Sequence, residues 1–195
     1  MEIREQIQEI IKTRNITQLI HFTKKKNIQS ILDHGILNID ELKKRNIKYT
    51  YNDPERKDGW DFTISLSITN KNFDLYEQFK KRQNLSDKDF VEIKIDPSVL
   101  LDNECFFCDT NAANHTFNEY RENTEKLNTL KFGINFEAMF KDKVYRHYHG
   151  KSGIIYRINK KTYETTCSQA EICLIGNINT DKFINYTQLN QLSNG

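Results

Sequence analysis

The chain of 195 residues reads as one α+β domain, with a mostly antiparallel sheet core and flanking helices. Three observations carry this. Short apolar strands with period-2 alternation recur, most clearly in Phe62 to Ile68, where Ile64, Leu66 and Ile68 share one face and Thr63, Ser65 and Ser67 the other. Segments with apolar residues at helical spacing lie between the strands. No repeat, low-complexity tract or linker interrupts them, and the length suffices to bury one core without disulfide or metal staples.

Glu2 to Arg14 is an amphipathic helix, because Ile3, Ile7, Ile10 and Ile11 recur on one stripe. Gln18 to Phe22 is a short apolar strand. Thr23 stands where a helix N-cap belongs, ahead of a helix over Lys24 to His34 that carries Ile28, Ile31 and Leu32 on one face. Gly35 ends that helix where a left-handed residue is usual. Asn38 to Asn46 is another short helix, and Ile47 to Trp60 is loop, marked by Asn52-Asp53-Pro54 and Asp58-Gly59. A helix follows from about Phe73 to Arg82, then a strand over Phe90 to Ile95 closed by Asp96-Pro97. Cys105 to Cys108 is a strand, Asp109 to His115 a polar loop, and two short helical patterns lie between Asn123 and Lys141. Ile154 to Ile158 and Glu171 to Ile175 are the last strong strands, joined by a loop over Lys160 to Ala170.

Hydrophobic residues make up 37% and charged residues 29%, a folded composition with a wet surface rather than a disordered one. No stretch approaches the roughly 18 consecutive apolar residues a membrane span needs. Met1 to Glu5 is charged and helical in pattern, unlike a signal peptide, so a cytoplasmic location is the expectation. Net charge is only +2, but the positive charge is clumped: Lys24-Lys25-Lys26, Lys43-Lys44-Arg45, Lys80-Lys81-Arg82, the stretch Lys141 to Lys151, and Lys160-Lys161. Each clump alone is a solvated surface, while several on one face would track phosphates. Cys105-Phe106-Phe107-Cys108 has zinc-like spacing without a matching second pair, so free and mostly buried thiols are expected.

Few residues resist assignment to plain solvation. His21 and Thr23 project to one side of their strand by the period-2 rule, and an imidazole beside a hydroxyl suits a ribose or an adenine edge. The plainer readings are a core histidine and a helix cap. Glu171 opens an apolar strand, either as solvent-facing punctuation or as a carboxylate fixed by rigid backbone, able to bind a sugar hydroxyl or take a proton. Arg56, in a turn-rich loop with Asp53 and Asp58, either pairs with those aspartates or grips a pyrophosphate bidentately. Ser65 and Ser67 would line a cleft floor. The chain has no glycine-rich phosphate loop and no carboxylate pair at acid/base spacing.

Ile20-His21-Phe22-Thr23, followed by Asn27 to Leu37, resembles the opening motif of the DarT family, ADP-ribosyltransferase toxins that modify DNA bases and pair with DarG antitoxins. Arg56 in Asp53-Pro54-Glu55-Arg56-Lys57-Asp58-Gly59, the strand around Ser65-Leu66-Ser67, Asn111-Ala112-Ala113 and Gln169-Ala170-Glu171 resemble family positions in the same order. The resemblance spans roughly residues 18 to 180.

It implies a single ADP-ribosyltransferase domain, a helix over 1–16 ahead of a catalytic core over 17–180, with NAD and no metal in a cleft between sheet halves. It further implies that His21, Phe22 and Thr23 hold NAD with Ser30, Asn38, Ser65 and Ser67 nearby, that Arg56 contacts NAD and assists catalysis, and that Glu171 is the catalytic carboxylate. Asn111 and a loop from about Lys161 to Ala170, with Tyr163, Thr165, Thr166, Ser168 and Gln169, would read the substrate. Some members carry histidine where this chain has Asn111, and their aromatic-rich second strand is absent. The serine-rich strand resembles the branch associated with guanine rather than thymine.

The reaction so implied is attack by a base on an oxocarbenium-like ribose whose positive charge a carboxylate stabilises. Bases in a duplex are shielded, so single-stranded DNA is the expected substrate. A DarG-type macrodomain is the expected partner, and blocked replication in a toxin–antitoxin or anti-phage system the expected setting. The rivals are a transferase acting on RNA or protein, and an inactive nucleic-acid-binding module relying on the basic clumps.

Overall fold

In the computed structural model, which describes residues 2–52, 57–148 and 151–193, the N-terminal apolar stripe forms α1 (Ile3–Thr13), with Ile7 and Ile10 buried and a Glu2–Glu5 capping box. The elements then follow as β1 (Leu19–Lys24), α2 (Ile28–His34), α3 (Ile39–Lys44), β2 (Thr63–Ile68), α4 (Phe73–Gln83), β3 (Phe90–Ile95), α5 (Val99–Asp102), β4 (Cys105–Cys108), α6 (Asn118–Glu122), α7 (Thr124–Thr129), α8 (Gly133–Ala138), β5 (Lys143–Tyr148), β6 (Lys151–Tyr156), β7 (Glu171–Ile175) and α9 (Tyr186–Ser193). The main sheet has the order β3-β1-β2-β7-β4, antiparallel throughout, and β5-β6 forms a separate ribbon. The α+β expectation holds.

The register shows how this sheet is joined. β1 pairs with β3 from Leu19 to Lys24, and β2 pairs with β7 from Thr63 to Leu66. Between β1 and β2 only Leu19↔Ile68 and Ile20↔Ser67 are paired, and beyond them the strands part. The sheet is therefore two halves hinged at one end.

The main core gathers Leu19, Leu66, Ile93, Ile95, Ile172 and Leu174 with Phe136 and Met139 of the helical layer. Each such side chain contributes about 1.5–3 kcal/mol by leaving water. A second cluster, Trp60, Phe106, Cys108, Phe117, Leu130 and Cys173, covers the other face of β4 and β7. This half of the sheet is buried on both faces, which is why Cys105 to Cys108 is apolar without alternation. Cys105 lies in the first cluster and Cys108 in the second, so their sulfurs face opposite sides of the strand. All four cysteines are free and buried.

Three local expectations need correction. Thr23 is not a helix cap: it belongs to β1, a 3-10 turn over Lys25–Asn27 precedes α2, and Asn27 occupies its N-cap position. The basic stretch Lys141 to Lys151 contains β5, and the strand expected over Ile154 to Ile158 runs from Lys151 to Tyr156 as its hairpin partner. Gly35 does end α2 at positive φ, with φ 78° and ψ −176°, a region open essentially to glycine alone. A Cβ there would lie 2.4 Å from the Ile178 carbonyl oxygen, which Ile36 approaches in an isolated bridge. No described helix is long and apolar enough to cross a membrane.

Candidate active site

Where β1 and β2 part, a cleft of about 480 Å³ opens, lined by His21, Phe22 and Thr23 from β1, Ser65 and Ser67 from β2, and Glu171 from the start of β7. The volume lies within the range of cofactor sites. With β2 gone from the edge of β1, other groups satisfy that edge. The Asn52 side chain donates through Nδ2 to the Phe22 carbonyl at 2.7 Å. Asn27 donates to Thr23 Oγ1 at 3.0 Å and to the Thr50 carbonyl at 2.9 Å, and accepts from the Thr50 amide at 2.9 Å. The segment 49–52 is thereby stitched along β1 as the outer wall. Asn52 Oδ1 is buried there with no hydrogen-bond partner among the described residues, an unmet acceptor in the wall.

His21 bridges the gap from the inside. Its Nδ1 lies 3.1 Å from the Ser65 carbonyl oxygen, which can only accept, so Nδ1 carries the proton. Thr23 is buried, and because its oxygen accepts from Asn27 its hydroxyl proton remains to be donated elsewhere. Tyr49 and Tyr51, also on the wall, bond hydroxyl to hydroxyl, and burial with that bond pushes the Tyr49 hydroxyl pKa up, so it stays neutral.

Glu171 is 8% exposed, which rules out the solvent-facing reading. Its carboxylate accepts from the Ala112 amide at 3.0 Å. Arg121 of α6 holds the loop that supplies this donor, through bonds to the carbonyls of Ala112 at 2.6 Å and Asn114 at 3.0 Å. Burial lowers the Arg121 pKa, with the charge of Asp58 opposing it. A carboxylate fixed at a strand end by a backbone donor is oriented before any ligand arrives. Gln169, buried two residues before it, donates to Asp74 at 2.9 Å and so ties this corner to α4. Burial pushes the thiols of Cys105, Cys108 and Cys167 up, and its bond with Cys108 followed by burial does the same to Cys173. A protonated thiol is a poor nucleophile, and none of the four cysteines is among the residues that line the cleft.

Of the expected site residues, His21, Phe22, Thr23, Ser30, Asn38, Ser65, Ser67, Asn111, Gln169 and Glu171 all line this cleft. Asn38 is already occupied: its Oδ1 caps α3 through the Glu41 amide at 2.8 Å, and its Nδ2 donates to the Phe62 and Gly176 carbonyls at 3.2 Å each. Tyr163, Thr165, Thr166 and Ser168 are not among the lining residues. Their loop is pinned from outside the cleft by Arg157, which donates to the Glu164 carbonyl at 2.5 Å and the Lys161 carbonyl at 2.6 Å. Thr166 is buried and donates to the Lys141 carbonyl at 2.5 Å; Ser168 is exposed. Arg56 lies outside the described residues.

Sequence reasoning missed Asn27 and Asn52 in the wall, and Arg121 and Arg146 near the carboxylate. Arg146 reaches the cleft from β5. Its signal was the alternation of Val144 and Arg146 against Lys143 and Tyr145. Among the described residues, no group of three or more His, Cys, Asp or Glu is placed to hold a metal ion.

No significant match to a curated protein was found. A family profile described as "ssDNA thymidine ADP-ribosyltransferase, DarT" matches residues 20–185, from the second residue of β1 to the residue before α9. That stretch contains the split sheet, the cleft and every lining residue named above, and the chain belongs to the DarT family of single-stranded-DNA ADP-ribosyltransferases.

Proposed function

We propose that this chain is a toxin that transfers ADP-ribose from NAD to guanine in single-stranded DNA, with Glu171 as the catalytic carboxylate and the β1 side of the cleft as the NAD site. The observation that carries this is the placement of a buried carboxylate, fixed by the Ala112 amide, in the same cleft as His21 and Thr23. The cleft suits NAD chemically. Donors and acceptors line its β1 wall, apolar side chains such as Leu37 and Phe79 line the rest, and Asn52 Oδ1 is an unmet acceptor. His21 and Thr23 would face the ribose hydroxyls, Thr23 by donating its hydroxyl proton. Arg56 would hold the pyrophosphate, a role that suits a bidentate guanidinium.

The bond between nicotinamide nitrogen and ribose C1 breaks, and its electron pair leaves with nicotinamide. A base nitrogen attacks C1, and the proton it sheds passes to the Glu171 carboxylate and then to water. While C1 is positive, the same carboxylate stabilises it, and burial strengthens that interaction. The nucleophile is weak, so holding the base beside C1 supplies much of the rate. A base must be unstacked to enter, which favours single strands.

The family description names thymidine. The guanine reading rests on the serine-rich β2, where Ser65 and Ser67 give the floor small hydroxyls in place of an aromatic face. A mark on template bases would block replication. The proposed setting is a toxin–antitoxin or anti-phage system with a DarG-type macrodomain partner. The test is incubation with labelled NAD and single strands built on each base in turn, with duplex, RNA and protein pools alongside, followed by mass spectrometry of released nucleosides. ADP-ribosyl-deoxyguanosine from single strands alone is expected. Label on thymidine instead would overturn the base assignment, and label confined to RNA or protein would overturn the whole reading.

A further inference from the structure

The β5–β6 ribbon has two unlike faces. Its register pairs Lys143 with Tyr156, Val144 with Ile155, Tyr145 with Ile154 and Arg146 with Gly153. Directly opposed residues share a face, so Val144, Ile155 and Arg146 point one way. Val144 is buried, Ile155 packs against the core, and Arg146 lines the cleft. The outer face then carries Lys143, Tyr145, Ile154 and Tyr156. Tyr145 is 60% exposed, Ile154 43% and Tyr156 58%. A contiguous aromatic and apolar face left in water on a two-stranded ribbon needs an occupant.

We propose that this outer face is a stacking platform for nucleotides flanking the acceptor base of a single-stranded DNA substrate; the proposal rests on the transferase reading of the cleft. Two features favour this occupant. The ribbon borders the site: its inner face places Arg146 in the cleft, and β5 packs beside the His115–Phe117 turn, whose His115 also lines it. Its charge is complementary: Lys143 lies over the Tyr145 ring at 5.9 Å, makes no ion pair among the described residues, and shares the face with no carboxylate. Exposed aromatic rings beside a cation bind single strands by stacking on bases while the cation neutralises phosphate, with little sequence preference.

The test compares the full chain with Tyr145→Ala/Tyr156→Ala and with Tyr145→Phe/Tyr156→Phe. Binding of a fluorescent single strand of about 12 nucleotides, within the span such surfaces cover, is measured by anisotropy, and transfer to that strand and to a trinucleotide is measured with labelled NAD. The alanine pair should weaken binding of the long strand at least about tenfold and raise its KM similarly. The phenylalanine pair should stay near wild type, because the rings remain. Transfer to the trinucleotide and DNA-independent NAD hydrolysis should change little. Unchanged binding of the long strand by the alanine pair would overturn the proposal. So would a concentration-dependent dimer in sedimentation that the alanine pair abolishes while its binding of DNA persists. Anisotropy reads the platform without chemistry, so a wild-type chain that binds the strand but transfers nothing refutes the cleft reading alone.

Discussion

Replacing Asn27 with Ala should loosen the outer wall of the cleft while leaving the Glu171 side untouched. Asn27 makes three hydrogen bonds, to Thr23 Oγ1 at 3.0 Å and to the Thr50 carbonyl and amide at 2.9 Å each. At about 1 kcal/mol net per bond, with Thr50 backbone groups left half-buried, the truncation costs about 2–4 kcal/mol. In a domain of this size that lowers Tm by roughly 4–16 °C. The part that releases the 49–52 segment must be recovered when NAD binds, and every 1.4 kcal/mol so spent is about tenfold in affinity. The assay is an NAD titration of labelled transfer to single-stranded DNA, with thermal melting alongside. KM for NAD should rise about tenfold while kcat at saturating NAD stays within about twofold. Asn27→Asp, which keeps the acceptor for the Thr50 amide and loses both donations, should fall between. A lowered Tm with KM for NAD unchanged would refute the reasoning, because the segment would then be structure and not cofactor wall.

Gly35→Ala places a Cβ 2.4 Å from the Ile178 carbonyl oxygen at a glycine-only conformation; it should cost about 2–3 kcal/mol, seen as a Tm lower by roughly 5–10 °C. An unchanged Tm would contradict that geometry. Arg121→Ala removes the donors to Ala112 and Asn114 and so frees the amide that fixes Glu171. Its kcat for DNA modification should fall about tenfold or more with KM for NAD little changed; a rise in KM alone would put Arg121 elsewhere in the cycle. Tyr76, whose hydroxyl donates to Asp87 at 2.6 Å, has its pKa pushed from 10.0 to about 12, by burial first and then by that bond. A raised pKa means the folded state prefers the protonated phenol, so this contribution is full below about pH 10 and is lost as pH rises towards 12. Melting curves across that window should fall more steeply for wild type than for Tyr76→Phe, and equal slopes would refute the assignment.

The fold was legible where periodicity is local. β2 and β3 alternate and Glu171 opens an apolar strand, so these strands were found within a residue, and Gly35 marked the end of α2 though its start lies four residues later than expected. β5 was not, because its outer face is charged and aromatic and its inner face holds an arginine, which reads as a basic surface run. Within the site, residues on strands were legible because strand geometry fixes their side. The wall was not, since Asn27 and Asn52 act through bonds to Thr50 and Phe22 that no spacing rule anticipates. Thr23 was misread as a cap because cap and strand-end threonines look alike in sequence. Tyr163, Thr165, Thr166 and Ser168 were taken with their loop as a block, whereas Arg157 turns that loop's carbonyls outward and buries Thr166 against the Lys141 carbonyl. Asn38 carried a capping signal ahead of α3, and that bond and two others occupy it.

In the proposed reaction the buried Glu171 carboxylate performs the transfer. Glu171→Gln keeps the shape of the side chain and an oxygen for the Ala112 amide at the same site. It removes the negative charge and the capacity to take a proton. Labelled transfer from NAD to single-stranded DNA by this variant, at saturating NAD and with Tm measured in parallel, is the direct measurement. A folded variant that still binds NAD and transfers at least about a hundredfold more slowly is the result the geometry predicts. A folded variant that modifies DNA at the wild-type rate would contradict it.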